Sequence, residues 1–196
     1  YRFNRNTQAF VAAEKRDIDF DAVAVGAIDR SSDETFISTG VEGKLGRRTT
    51  GRFEIGHLNR DLQDANQRDF SGVNWRAQVL WQPTARDNLQ LRTERASRES
   101  FINNANFIDV QDTQLQYRRR LNARMDGTLD LRYQVEDFDG NIREDERTDF
   151  GAGLIFRLPR RGWNVLANYN RGHRTSSLAN RDFTTNTVFL GLEYRP

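Results

Sequence analysis

The chain reads as all-β, an antiparallel up-and-down transmembrane β-barrel of about eleven strands, and three observations predict it. Apolar and polar residues alternate with period two in segments of roughly nine to twelve residues, while helical periodicity is weak. The connections between these segments alternate short and long along the chain. Mean hydropathy is only −0.82, yet aromatic residues make up 11% of the chain and are spread regularly, unlike a disordered segment.

Taken in order, the expected strands span 3–14, 20–29, 36–46, 50–59, 70–82, 88–98, 107–121, 125–136, 147–158, 163–173 and 183–195. In the fifth, Val73, Trp75, Ala77, Val79 and Trp81 share one parity and Asn74, Arg76 and Gln78 the other. The eighth sets Gly127, Leu129, Leu131, Tyr133 and Val135 against Thr128, Asp130, Arg132, Gln134 and Glu136. The ninth sets Phe150, Ala152, Leu154, Phe156 and Leu158 against Gly151, Gly153 and Arg157. Both faces of each strand are therefore committed.

Short connections hold Gly46 to Thr49, Pro83 to Asp87, Leu121 to Arg124 and Pro159 to Gly162. Longer polar ones lie at Asp29 to Thr35, Asn59 to Asp69, Ser97 to Asn106, Asp137 to Glu146 and Arg174 to Asp182. Tight turns at one end and loops at the other match an outer-membrane barrel. A tilted strand needs about 9–11 residues to cross, against the five or six common in globular sheets. With lipid outside and a wet lumen inside, no shared apolar core is needed, which accounts for a chain that is 36% hydrophobic and 30% charged.

Length alone, 196 residues, does not separate one barrel or sandwich from two small domains; the uninterrupted alternation favours a single β-barrel domain over 1–196. The final strand would end on the short-turn side. Counting back eleven places Tyr1 on the loop side, whereas bacterial barrels have even strand numbers, so the expectation is a fragment or C-terminal part of a larger even-stranded barrel. The first residue is not an initiator Met, and an export signal would lie upstream.

Thirty basic residues face 28 acidic ones, a formal charge of +2, which provides no field for nucleic acid. Only Lys15 and Lys44 are lysine, so arginine supplies the other 28 cations. Arginine suits fixed, planar pairing with carboxylates. The absence of cysteine excludes disulfides and thiolate metal sites.

Gly56 to Arg60, Ser71 to Val73, Trp81 to Thr84, Leu89 to Leu91 with Arg95 and Glu99-Ser100, Arg147 to Asp149, Arg174 to Ser177 and Phe183 to Asn186 follow one another in a distinctive order. In that order they resemble the putative β-barrel porin type 2 family of Gram-negative outer-membrane barrels. The resemblance covers roughly residues 37 to 194 and lies in the order of the pieces, since each alone is short. It implies a conduit in the outer membrane of a Gram-negative bacterium, matching the C-terminal half of longer relatives, some of which serve exopolysaccharide export. It carries no catalytic residues.

The candidate lumen-lining and selectivity residues are Arg52, Glu54, Arg76, Arg92, Glu94, Arg118, Arg120, Asp130, Arg132, Glu136 and Arg157. Wall charges set solute selectivity. The same charges pairing across strands would instead rigidify a narrow or plugged barrel. The membrane-facing candidates are Val73, Trp75, Val79, Trp81, Leu129, Leu131, Tyr133, Leu154, Phe156, Trp163 and Tyr194. Tyr169 joins the aromatic residues suited to the lipid–water boundary, where sugar stacking is the alternative role.

His57 and His173 invite a hydrolase reading with Ser71, Asp61 or Asp182, but spacing shows no convergent acid/base pair, so no enzyme is expected. Asp137 to Asn141 with Glu144 to Glu146 lacks the order of a calcium loop and reads as solvated acids. Arg47-Arg48 and Arg160-Arg161 read as turn charges at the membrane surface. The expected partners are outer-membrane lipid, a hydrophilic solute or polysaccharide and periplasmic export proteins, with no cofactor and no nucleic acid. A closed scaffold barrel and a soluble carbohydrate-binding β-domain are the competing readings.

Overall fold

Alternation of the kind described above leaves each strand with one polar and one apolar row, so pairing register decides whether the rows join into faces. A computed structural model describes residues 2–4, 6–19, 31–63, 68–100, 107–159 and 162–194. Every regular element among them is a strand.

A three-residue β1 (Arg2–Asn4) precedes ten long strands: β2 (Thr7–Ile18), β3 (Ser32–Gly46), β4 (Thr49–Leu62), β5 (Phe70–Trp81), β6 (Asp87–Glu99), β7 (Phe107–Arg120), β8 (Met125–Phe138), β9 (Glu144–Arg157), β10 (Trp163–Ser176) and β11 (Phe183–Tyr194). They form one antiparallel sheet in chain order, an up-and-down meander. The sheet is not closed: β11 pairs with β10, and its other edge has no partner among the described residues.

The expected eleven strands are therefore not reproduced one for one. The expected strand 20–29 lies outside the described residues, apart from which β2 and β3 are direct hydrogen-bonded neighbours with no strand between them. This alters the parity count. Ten long strands place the start of β2 at the same end as the finish of β11, the short-connection end, so the count that set the N-terminus on the loop side does not hold.

Several strands also run further into the polar segments than alternation suggested. The long strands hold 12–15 residues. Short connections span two to five residues and long ones five to thirteen, so the difference in length is smaller than expected, and β8–β9 is the least distinct. The physical reason is visible in β9 and β10, where Asp145↔Ser176, Glu146↔Thr175 and Arg147↔Arg174 continue the ladder. Polar side chains there read as loop, but their backbones pair like any others.

Register joins the rows. From β2 to β11 one continuous row runs Phe10, Gly40, Glu54, Arg76, Glu94, Asp112, Gln134, Arg147, Arg174 and Phe183. On the other face a row runs Trp81, Leu89, Tyr117, Leu129, Ala152, Tyr169 and Val188. Burial separates the two faces in the opposite sense to a soluble sheet. Glu34, Ser38, Glu54, Arg60, Asp112, Asp126, Gln134 and Asp145 are buried, whereas Leu129, Leu131, Leu154, Val188, Leu190 and Leu192 are exposed. A single-layer sheet shields one face only by curling toward it, and this sheet curls toward its polar face.

The long-connection end of that face is packed rather than open. Leu58, Val110 and Phe138 are buried there, and the Arg143 guanidinium stacks 4.4 Å over the Phe138 ring. Gly56 has no room for a side chain, because a Cβ would lie 2.6 Å from the Phe36 ring. Gly140, at φ 79°, turns the β8–β9 connection in a conformation that favours glycine. The β5–β6 ladder ends at Trp75↔Arg95, short of the loop end, and there the Ser97 amide donates to Asn74 Oδ1 at 3.3 Å.

Candidate functional site

The polar face is built two residues at a time, since every second side chain of a strand points the same way. Register places all eleven charged candidates, Arg52 through Arg157, on this one face. All eleven membrane-facing candidates fall on the opposite face. At its short-connection end Trp163 and Tyr194 are register partners with rings 5.0 Å apart.

The charges are organised around buried carboxylates, several of which hold two guanidiniums. Glu54 accepts from Ser38 at 2.9 Å and pairs with Arg52 at 3.1 Å and Arg76 at 3.0 Å. Asp126 pairs with Arg118 at 2.5 Å and Arg157 at 2.6 Å. Glu34 accepts from Arg60 Nε at 2.6 Å, with Arg16 at 3.5 Å. Asp145 pairs with Arg143 at 2.6 Å and with Arg174. Asp112 takes a two-pronged contact from Arg132, at 3.0 and 2.9 Å. Two prongs fix orientation as well as charge.

Sequence reasoning had proposed the arginines and missed most of their anchors. Glu34, Asp112, Asp126 and Asp145 are the carboxylates that matter most here; the first three were not singled out, and Asp145 was read only as one of a group of solvated acids. A usable signal was present: Arg-x-acid spacing puts both groups on one face of one strand, as in Arg52/Glu54, Arg92/Glu94, Arg143/Asp145 and Arg147/Asp149. Arg76 and Arg92 share the polar face without being register partners. Arg76 opposes Glu94, and Arg92 opposes Gln78.

The histidines sit on the apolar-parity face, near its polar long-connection end. His57 Nε2 lies 2.9 Å from Ser71 Oγ, and that hydroxyl donates to Asn59 Oδ1 at 2.9 Å. With its proton committed to Asn59, Ser71 accepts from the imidazole, the reverse of what an activated nucleophile requires. His173 Nδ1 bonds Thr184 Oγ1 at 2.9 Å, and Asp182 accepts from the Ser176 amide at 2.8 Å. The acids of the β8–β9 connection do not converge on a cation, since Asp145 is occupied by guanidiniums, and no group of metal-ligating side chains occurs among the described residues.

What this arrangement can do chemically is offer a fixed, hydrogen-bonding, nearly charge-balanced wall behind an apolar exterior. No curated protein matches the chain. The family model described as putative beta-barrel porin 2 matches residues 1–196, the whole length, and the chain therefore belongs to that family of β-barrel porins.

Proposed function

We propose that the chain forms the wall of an outer-membrane pore in a Gram-negative bacterium, through which a hydrophilic solute passes, and that the solute is an exopolysaccharide delivered by periplasmic export partners. Membership of a porin family suggests an outer-membrane pore and a non-enzymatic channel. The observation that carries the reading is the inversion of the sheet, with Leu190 74% and Val188 71% exposed while Asp126 is 2% exposed. Lipid covers such an apolar exterior, and water fills such an interior. Arg52, Glu54, Arg76, Arg132 and their neighbours then line the lumen and offer donors and acceptors to sugar hydroxyls.

Single-channel recording of the full protein in a planar bilayer tests the pore: discrete current steps are expected, and their absence in an inserted protein would reject it. For the cargo, deletion of the gene should abolish extracellular polysaccharide without removing the polymer from the periplasm. A second reading, a scaffold barrel with a closed lumen, draws support from the packing of Leu58, Val110 and Phe138 at the long-connection end. It predicts insertion without conductance.

A further inference from the structure

At the short-connection end of the polar face, beside the β5–β6 turn, lies a cavity of about 270 Å³ lined in part by Arg86, Arg118 and Arg120. Two carboxylates also line it, Asp87 and Asp126. Both are already engaged. Asp87 accepts from Tyr117 Oη at 2.6 Å and from Thr84, with Arg119 at 3.8 Å. Asp126 holds Arg118 and Arg157. Three guanidiniums thus line the cavity with two carboxylates; Asp126 holds Arg118, Arg86 acts on Asp87 only through longer-range charge, and neither Arg86 nor Arg120 has a carboxylate within 4 Å among the described residues.

These arginines are positioned, not merely nearby. The Arg120 amide donates to the Arg86 carbonyl at 2.8 Å, which ties the β7 terminus to the turn. The Arg86 amide donates to Thr84 Oγ1 at 3.1 Å and fixes the turn itself. Arg118 is held by a buried carboxylate that occupies one edge of its fork and leaves the other N–H groups available. Gln82 and Asn88 add amide groups to the lining.

Like charges gathered in a concave site repel one another, and an anion relieves the repulsion where a neutral ligand does not. Planar guanidinium forks match oxyanions in both charge and shape. We propose that this cavity is an oxyanion-binding site, which takes a phosphate, sulfate or carboxylate group at the short-connection mouth. At about 270 Å³ it has room for a hydrated oxyanion or one acidic sugar unit. Asn88, Arg118, Arg120 and Asp126 belong to the polar face, so the site opens on the interior side. A role in selecting anionic cargo at the mouth rests on the pore reading above, whereas the binding itself does not.

Calorimetric titration of the detergent-purified full protein with inorganic phosphate tests the site. Saturable binding is expected, weakened at least tenfold in the double variant Arg86→Ala/Arg120→Ala, and within twofold of wild type in Arg171→Ala on the opposite face. Absence of phosphate binding in the wild type would overturn the proposal, as would undiminished binding in a double variant of wild-type strand content. Repeating the titration in nanodiscs separates the two sources of the anion. Equal affinity in phosphatidylcholine and phosphatidylglycerol assigns the site to a soluble anion, while strong competition by phosphatidylglycerol alone assigns it to a lipid headgroup. Persistent phosphate binding without channel current would reject the pore and leave the oxyanion site standing.

Discussion

The two ends of the polar face differ in how they treat charge. At the long-connection end Glu34, Arg60, Arg143 and Asp145 are buried among Leu58, Val110 and Phe138, with cations and carboxylates matched at close range. At the short-connection end guanidiniums outnumber carboxylates in the cavity lining, and Arg118 and Arg120, on β7, stay exposed. The lesson is that burial forces pairing. A desolvated ion without its partner costs several kcal/mol, whereas an exposed cation can wait for a ligand.

That comparison breaks first if the packed end is not packed. Phe138→Ala removes the most buried ring among the described residues and the surface on which Arg143 stacks, and should cost about 3–5 kcal/mol, read as a lower urea midpoint of unfolding from vesicles. A loss under about 1 kcal/mol would show that the long-connection end carries little of the stability. The comparison also presupposes that the polar face is interior. Leu154→Arg on the opposite face should cost about 2–4 kcal/mol and reduce assembly, followed by the heat-dependent gel shift of folded barrels. Unimpaired assembly would mean that the faces are reversed.

Smaller effects sharpen the contrast. Asp126→Asn removes the anchor shared by Arg118 and Arg157, but both guanidiniums keep contact with water, so the cost should be about 1–3 kcal/mol rather than that of a fully buried pair. Its clearer readout is current, since the mouth gains a positive charge and reversal potentials should shift toward anion selectivity. Arg76→Ala should change stability by less than about 1 kcal/mol, because its guanidinium is half exposed and Glu54 keeps Ser38 and Arg52. Conductance or export should nonetheless change. Blocked assembly in Arg76→Ala would assign that arginine to folding and not to the lumen.

Much of this architecture was legible in the alternation. Trp75, Val79 and Trp81 against Arg76 and Gln78 already divide one strand into two faces, because the side-chain period of a strand is fixed at two by backbone geometry. The ends of strands were less legible. Glu144 to Glu146 and Arg174 to Ser176 look like loop from their polarity, yet their backbones pair, since a ladder depends on N–H and C=O groups that every such residue carries. That β2 and β3 are direct neighbours was not legible either, because local pattern cannot say which strands pair.

The sequence by itself determined the all-β meander, the two chemical faces and the choice of arginine as the cation. These follow from local periodicity and composition. Only the tertiary structure decided that Glu54 meets Arg76, that Asp126 holds Arg118 and Arg157, that Phe138 closes a small core with Leu58 and Val110, and that Arg86 and Arg120 are left without a carboxylate within 4 Å among the described residues. Those outcomes depend on register and on the curl of the sheet, and both are set by contacts between residues far apart in the chain.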